Sequence, residues 1–182
     1  MVVADLPFGS YEASPELALA TSVRFFKESG VMAVKLEGAH YESVKKLVAS
    51  GIPVMGHLGL TPQSMHQLGG YKVQGRTDGD VILEAALALQ AAGAFAIVLE
   101  LVPAELAARI TSALSIPIIG IGAGVNCDAQ VLVWTDLMGI TKKAPKLAKA
   151  YRNLRAEMLA ATNEFADDVR SGNFPTEAQT FN

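Results

Sequence analysis

The chain has 182 residues, a single cysteine and a formal net charge of −3, and hydrophobic residues make up 51% of it. This length suits one domain with a sizeable buried core. The mild negative charge gives no electrostatic basis for binding nucleic acid or an anionic membrane. One cysteine cannot form an internal disulfide, and no stretch is typical of a secretory segment or a membrane span. We therefore expect a cytoplasmic protein.

Short apolar runs alternate with helical patterns along the chain. The predicted strands are Val2–Leu6, Ala33–Glu37, Pro53–His57, Ala96–Glu100, Pro117–Ile121 and Val131–Trp134. The predicted helices are Leu17–Ser29, Tyr41–Ser50, Thr77–Ala92, Pro103–Leu114, Ala144–Arg155 and Leu154–Ser171. Such alternation predicts an α/β fold with buried parallel strands. Six strands fit either an open doubly wound sheet or a barrel that lacks two of its eight units.

Charged or polar side chains stand at the ends of four of these apolar strands. They are Asp5, Lys35, Glu37, His57 and Glu100. A charged group in an apolar strand costs several kcal/mol, in order of magnitude, unless it is paired, bound to a metal or facing water. Each one taken alone could form an ordinary ion pair. Because the carboxyl ends of parallel strands converge, the five together predict one polar pocket that serves as an active site.

The residue types in this pocket suit chemistry on a keto acid. Asp5 is a hard oxygen ligand of the kind that Mg²⁺ prefers, and Mg²⁺ on an α-keto acid stabilises an enolate. Glu100 is the candidate base for the α-proton, and Lys35 offers positive charge to the substrate carboxylate or the enolate oxygen. His57 could donate a hydrogen bond or move a proton. Glu37 could hold a metal-bound water or orient Lys35.

Several blocks of the sequence resemble one family of biosynthetic enzymes. The longest runs from Gly56-His57-Leu58-Gly59 through Thr61-Pro62-Gln63 to Gly75-Arg76. Others are Asp5-Leu6-Pro7-Phe8-Gly9-Ser10-Tyr11, Lys35-Leu36-Glu37-Gly38, Leu99-Glu100-Leu101-Val102-Pro103, Gly120-Ile121-Gly122-Ala123-Gly124 and Phe174-Pro175. In this order they resemble the ketopantoate hydroxymethyltransferases. The resemblance implies a (β/α)₈ TIM-barrel type fold that is incomplete here, with six βα units in a single domain over residues 1–182, and residues 144–182 forming a C-terminal helical arm.

The resemblance also implies an activity. The family transfers a hydroxymethyl group from 5,10-methylenetetrahydrofolate to 3-methyl-2-oxobutanoate, with Mg²⁺, in pantothenate synthesis. It implies Glu100 and His57 as catalytic residues, Asp5 and Lys35 as substrate-binding residues, and Asp5 and Glu37 as metal ligands. It further implies a homo-oligomer. The chain is expected to start at the family's third strand, without an Asp-Ser pair that binds substrate and metal in the first two units.

Other interpretations remain open at this point. A lyase of the phosphoenolpyruvate mutase and isocitrate lyase group would also use a magnesium enolate in a barrel, although the cysteine loop typical of that group does not occur near the pocket residues. A catalytically impaired fragment or pseudoenzyme that self-associates through its two edge strands is the non-enzymatic alternative. The glycine run over residues 120–124 lacks the full dinucleotide fingerprint, so nucleotide binding is disfavoured.

Overall fold

The computed structural model describes residues 1–181, and its central element is a six-stranded parallel sheet. Every strand pairs with its neighbours in sequence, in the order β1-β2-β3-β4-β5-β6. The strands are β1 (Val3–Asp5), β2 (Ala33–Lys35), β3 (Val54–Gly59), β4 (Ala96–Glu100), β5 (Ile118–Ile121) and β6 (Ala129–Gln130). Sequential parallel order is that of a (β/α) barrel. The predicted incomplete barrel of the α/β class is therefore confirmed, although β5 and β6 are joined by a loop.

Six α-helices accompany the strands within the described residues. They are α1 (Pro15–Ser29), α2 (Tyr41–Ala49), α3 (Gly79–Ala91), α4 (Ala104–Ala113), α5 (Trp134–Leu137) and α6 (Leu154–Ser171). The first helix shows why the predicted bounds were close. The Ser14 hydroxyl accepts a hydrogen bond from the Leu17 amide at 3.1 Å, and Gly30 ends the helix in the left-handed conformation. An N-cap serine and a C-terminal glycine are the usual helix boundaries.

The two faces of the sheet have different chemistry. One face packs against the helices and carries fully buried aliphatic side chains, among them Val34, Leu36, Val54, Ile97, Leu99 and Ile118. Successive side chains of a strand point to opposite faces, so the other face carries the residues between them. On that face Asp5 is in register with Lys35, and His57 is in register with Val98. The helices thus cover the apolar face and leave the polar residues together on the other.

The chain divides into two compact units. The first comprises Met1–Val131 and holds the whole sheet, and the second begins at Leu132 and contains α5 and α6. The assignment of residues 1–182 to a single domain, with residues 144–182 as an arm, stays a prediction. No helix in the described part of the chain is both long enough and apolar enough to cross a membrane.

The predicted strand Val131–Trp134 is wrong. The sixth strand lies two residues earlier, where the exposed segment Ala129–Gln130 pairs with Ile119 and Gly120. The Asp128 carboxylate accepts a hydrogen bond from the Ile118 amide at 2.8 Å and so holds this segment at the start of β5. Trp134 instead begins α5. Side-chain bonding to the neighbouring strand outweighs the apolar pattern of the later residues.

The predicted helix Ala144–Arg155 is also wrong. The amides of Tyr151 and Leu154 donate to the carbonyl oxygens of Leu137 and Met138, at 2.8 and 3.1 Å, rather than to carbonyls one helical turn earlier. The Asn153 side chain then caps α6, because its oxygen accepts from the Ala156 amide at 3.3 Å. Helical geometry therefore begins only at residue 154, as predicted for the second of the two overlapping helices.

Candidate active site

The structure brings all five predicted site residues together. The Asp5 carboxylate lies 2.7 Å from the Lys35 ammonium, and Lys35 Nζ lies 3.2 Å from Nδ1 of His57. On the other side of the imidazole, Nε2 of His57 lies 3.3 Å from Glu100 Oε2. Glu37 Oε1 is 3.9 Å from Nδ1 of the same ring. We call this connected set of side chains the polar chain, and it crosses the carboxyl ends of β1 to β4.

Burial increases along the polar chain from Asp5 to His57. The Asp5 side chain is 51% exposed and that of Lys35 is 17% exposed, whereas those of Glu37 and His57 are 4% and 5% exposed. Glu100 lies between these extremes, with 13% of its side chain exposed. The group therefore opens to solvent at Asp5 and closes around the imidazole. Solvent, and with it a small ligand, can therefore reach the polar chain at its Asp5 end.

The His57 imidazole has one nitrogen without an aligned partner. Among the described residues, Nε2 is buried and makes no hydrogen bond, since its 3.3 Å contact with Glu100 lacks hydrogen-bond geometry. An ammonium group can only donate, so the contact with Lys35 makes Nδ1 the acceptor and leaves the ring proton on Nε2. The N–H at Nε2 is therefore a donor available to a ligand or to a realigned Glu100.

Burial raises the pKa of Glu37 above its ordinary value of 4.5. Four nearby groups modify this effect: the Gln63 amide, His57 and Lys35 lower the pKa, and the negative charge of Asp5 raises it further. The net result is a carboxyl group that holds its proton more strongly than an exposed glutamate does.

Two further residues, Gln63 and Tyr11, hold Glu37 and were not among the predicted site residues. The Gln63 amide donates to Glu37 Oε2 at 2.9 Å, and the Tyr11 hydroxyl accepts from the Glu37 amide at 3.2 Å. Burial raises the pKa of Tyr11 from 10.0 to about 12. Both residues occur in the blocks that carry the family resemblance, which was the signal that could have found them.

The backbone that follows Glu100 is tightly constrained. Leu101 adopts a φ of 46°, a left-handed conformation that is rare for a leucine. Hydrogen bonds hold it from both sides, because its amide donates to Ile121 at 3.0 Å and its carbonyl accepts from Gln74 at 2.9 Å. Gly59 lies beside this turn, with a φ of 88° and too little space for a Cβ next to the Glu100 carbonyl. This packing fixes where β4 ends and where Glu100 projects.

The carboxylates of the site are hard oxygen donors, of the kind that a divalent cation such as Mg²⁺ takes. Asp5, Glu37 and Glu100 supply three carboxylates against the one ammonium group of Lys35. The ion pair of Asp5 uses Oδ1 and leaves half of the side-chain surface exposed, so this carboxylate can accept another ligand. No cluster of three or more acidic, histidine or cysteine side chains with metal-binding spacing occurs among residues 1–181. Mg²⁺ needs only one or two protein carboxylates, and it takes the remaining oxygens from substrate and water.

The model of one protein family matches residues 1–177, and its description is ketopantoate hydroxymethyltransferase. The chain belongs to this family. Two curated relatives are named 3-methyl-2-oxobutanoate hydroxymethyltransferase. The relative from Frankia alni is 57% identical over the whole chain, which covers 61% of that protein, and the one from Acidothermus cellulolyticus is 58% identical, with 68% of it covered. The chain thus spans about two thirds of the length of these ketopantoate hydroxymethyltransferases.

A solved structure of phosphonopyruvate hydrolase aligns with this chain at 14% identity and a TM-score of 0.49. The alignment covers 99% of this chain and 64% of the chain in that structure.

Proposed function

We propose that this chain takes part in the transfer of a hydroxymethyl group from 5,10-methylenetetrahydrofolate to 3-methyl-2-oxobutanoate, which yields ketopantoate for pantothenate synthesis. Membership of the family supports the reaction. The observation that carries the proposal is the polar chain itself, in which a carboxylate, an imidazole and an ammonium group meet at the ends of four neighbouring strands. These are the groups that proton abstraction next to a keto group requires.

Glu100 is the proposed base. Its carboxylate stands at the end of an apolar strand, with 13% of the side chain exposed, so little water competes for it. In the proposed reaction it removes the proton from C3 of the keto acid. Nε2 of His57 lies 3.3 Å from Glu100 Oε2. Its N–H then donates a hydrogen bond to the carboxyl group of Glu100, which has taken up the proton, or to the substrate oxygen.

Lys35 is proposed to stabilise the negative charge that forms on the substrate when the proton leaves. Its ammonium group lies between Asp5 and His57, at 2.7 and 3.2 Å. A charge held in place by two contacts needs little reorganisation during the reaction, which is how electrostatic catalysis works. Together with Asp5, Lys35 forms the proposed binding site for the carboxylate and keto oxygens of the substrate.

Magnesium is the proposed metal, with Asp5 as a direct ligand and Glu37 as a ligand through water. When bound, it would supply Lewis-acid polarisation of the keto acid. Asp5 lies at the solvent-exposed end of the polar chain, where an ion and a substrate can enter together. Glu37 keeps Oε1 on the side that faces His57, while its other oxygen is bound by Gln63.

The proposal is tested by product analysis on the purified chain. Supplied with 3-methyl-2-oxobutanoate, 5,10-methylenetetrahydrofolate and Mg²⁺, the protein should form ketopantoate, as detected by mass spectrometry. Omission of the folate should stop product formation. Cleavage of the keto acid without the folate would instead support a lyase, and the absence of any conversion would contradict the proposed activity.

We also propose that the chain forms a homo-oligomer. In the described residues, β1 and β6 are the two ends of the sheet, and the strand edges at these ends have no partner strand. Unprotected strand edges tend to pair with other chains. Sedimentation velocity over a range of protein concentrations should show species larger than 19.2 kDa, and a monomer at every concentration would contradict this.

A further inference from the structure

Gln63 connects the ends of three strands. It lies in a short 3₁₀ turn, Pro62–Ser64, that follows β3. Its backbone amide donates to Glu37 Oε2 at 2.9 Å, two residues beyond β2. Its side-chain Nε2 donates to the Leu6 carbonyl at 2.9 Å, one residue beyond β1. One glutamine thus joins β1, β2 and β3 at the end where the polar chain lies.

Tyr11 fixes the orientation of that glutamine. The side chain of Tyr11 is buried, and its hydroxyl donates to Gln63 Oε1 at 2.7 Å. The same hydroxyl accepts from the Glu37 amide at 3.2 Å. The Leu6 carbonyl can only accept, so a flip of the Gln63 amide would lose this bond and set the amide oxygen against another acceptor. The two polar side-chain atoms of Gln63 are therefore each matched to a partner of the opposite kind, an acceptor for Nε2 and a donor for Oε1.

These contacts leave Glu37 with one oriented oxygen. Its Oε2 is bound by the Gln63 amide, and its backbone amide is bound by Tyr11, so the carboxylate cannot rotate freely. The remaining oxygen, Oε1, faces Nδ1 of His57 at 3.9 Å. We infer that Gln63 and Tyr11 are positioning residues that direct Glu37 Oε1 into the polar chain. The catalytic part of this inference rests on the proposed function.

NMR spectroscopy can detect the hydrogen bond between the Gln63 backbone amide and Glu37 directly. An amide that donates to a carboxylate forms a stronger bond than one that donates to a neutral oxygen. We expect Glu37→Gln to move the backbone amide proton resonance of residue 63 upfield, which gives the reference for a lost contact. Tyr11→Phe should move the same resonance in the same direction, because the side chain of Gln63 loses the hydrogen bond from the Tyr11 hydroxyl. Gln63→Leu, which keeps the backbone amide, should do so as well if Tyr11→Phe does not fold.

Gln90 offers a matched control. Its side-chain oxygen also holds backbone amides, those of Ser115 at 2.7 Å and Ile116 at 3.3 Å, but at the end of α3 away from the polar chain. Gln90→Leu should lower stability without moving the resonance of residue 63. A shifted amide resonance of residue 63 in Gln90→Leu as well would mean that the shift reports a general loss of stability and not the contact with Glu37. That result would overturn the inference.

The kinetic part uses the same variants. If the chain makes ketopantoate, Tyr11→Phe and Gln63→Leu should lower kcat by roughly 10- to 100-fold, the usual effect of removing a partner of an active-site ligand, with a smaller change in KM for the keto acid. Gln90→Leu should keep the parent kcat. An unmoved resonance in Tyr11→Phe and Gln63→Leu, or a moved resonance with parent kcat, would overturn the inference. If the parent chain has no turnover, the proposed function fails, and the resonance alone decides whether Gln63 and Tyr11 hold Glu37.

Discussion

Lys35 and His57 are joined by a contact of 3.2 Å between the ammonium nitrogen and Nδ1 of the imidazole. Because the ammonium has no lone pair, this contact assigns the imidazole proton to Nε2, on the side of Glu100. In ¹⁵N spectra of the neutral ring, we expect Nδ1 of His57 to resonate as an unprotonated nitrogen and Nε2 as a protonated one. Lys35→Met should shift the population toward the other tautomer. A protonated Nδ1 in the parent protein would contradict the assignment.

Asp5 is predicted to control binding of the metal and the keto acid together. Asp5→Ala removes a carboxylate from the exposed end of the polar chain and leaves Lys35 without its 2.7 Å partner. Calorimetric titration with Mg²⁺ and 3-methyl-2-oxobutanoate should show at least about 10-fold weaker binding, which corresponds to about 1.4 kcal/mol. Asp80→Ala is the control, since it breaks an exposed 2.7 Å ion pair with Arg109 on the helices. Equal affinity in Asp5→Ala and the parent would remove Asp5 from the site.

Gly59 is predicted to be required for the packing at the end of β4. Its φ is 88°, and a Cβ there would overlap the Glu100 carbonyl and lie 2.7 Å from Val102 Cγ1. Gly51 has a similar φ of 83°, but no atom lies within 4 Å of the position that a Cβ would take there, so it isolates the effect of the backbone conformation. We expect Gly51→Ala to cost roughly 1–2 kcal/mol, and Gly59→Ala roughly 1–3 kcal/mol more.

Urea unfolding measures the difference between these two glycine variants. Equal losses in Gly51→Ala and Gly59→Ala would show that the contact with the Glu100 carbonyl is unimportant.

Tyr11 should make the free energy of unfolding depend on pH in the alkaline range. Burial raises its pKa from 10.0 to about 12, the Glu37 amide lowers it, and the charges of Glu12, Glu37 and Asp5 raise it further. Between these two values the folded protein keeps a proton that the unfolded chain releases. The free energy of unfolding must therefore fall as the pH rises through this range.

Tyr11→Phe should remove that part of the pH dependence, as measured by urea unfolding at a series of pH values. Tyr71→Phe, at a tyrosine that is 68% exposed, should keep it. The same slope in Tyr11→Phe and the parent would show that the Tyr11 phenol does not titrate in this way.

The position of the polar chain could be predicted from sequence because it depends on two local rules. Parallel strands end at the same edge of a sheet, and alternate residues share a face, so Asp5, Lys35, His57 and Glu100 had to meet. The predicted strand Ala96–Glu100 has the bounds that the structure shows. The roles of these residues in catalysis stay predictions.

Contacts between distant segments could not be predicted in the same way. The hydrogen bond from Tyr11 to Gln63 joins residues that are 52 positions apart, and no local pattern determines which amide meets which hydroxyl. The errors at Val131–Trp134 and Ala144–Arg155 have a related cause. In the first segment the Val133 carbonyl accepts from the Leu137 amide where α5 begins, and in the second the Tyr151 amide donates to the distant Leu137 carbonyl; these bonds override the local preference.

Glu100 is proposed to remove the C3 proton of the keto acid. The most direct measurement is exchange of that proton with deuterium from solvent, followed by NMR on 3-methyl-2-oxobutanoate with Mg²⁺ and no folate. The parent chain should catalyse this exchange. Glu100→Gln, which keeps the size of the side chain, should abolish the exchange while calorimetry still detects keto-acid binding. Exchange at the parent rate in Glu100→Gln would contradict the claim.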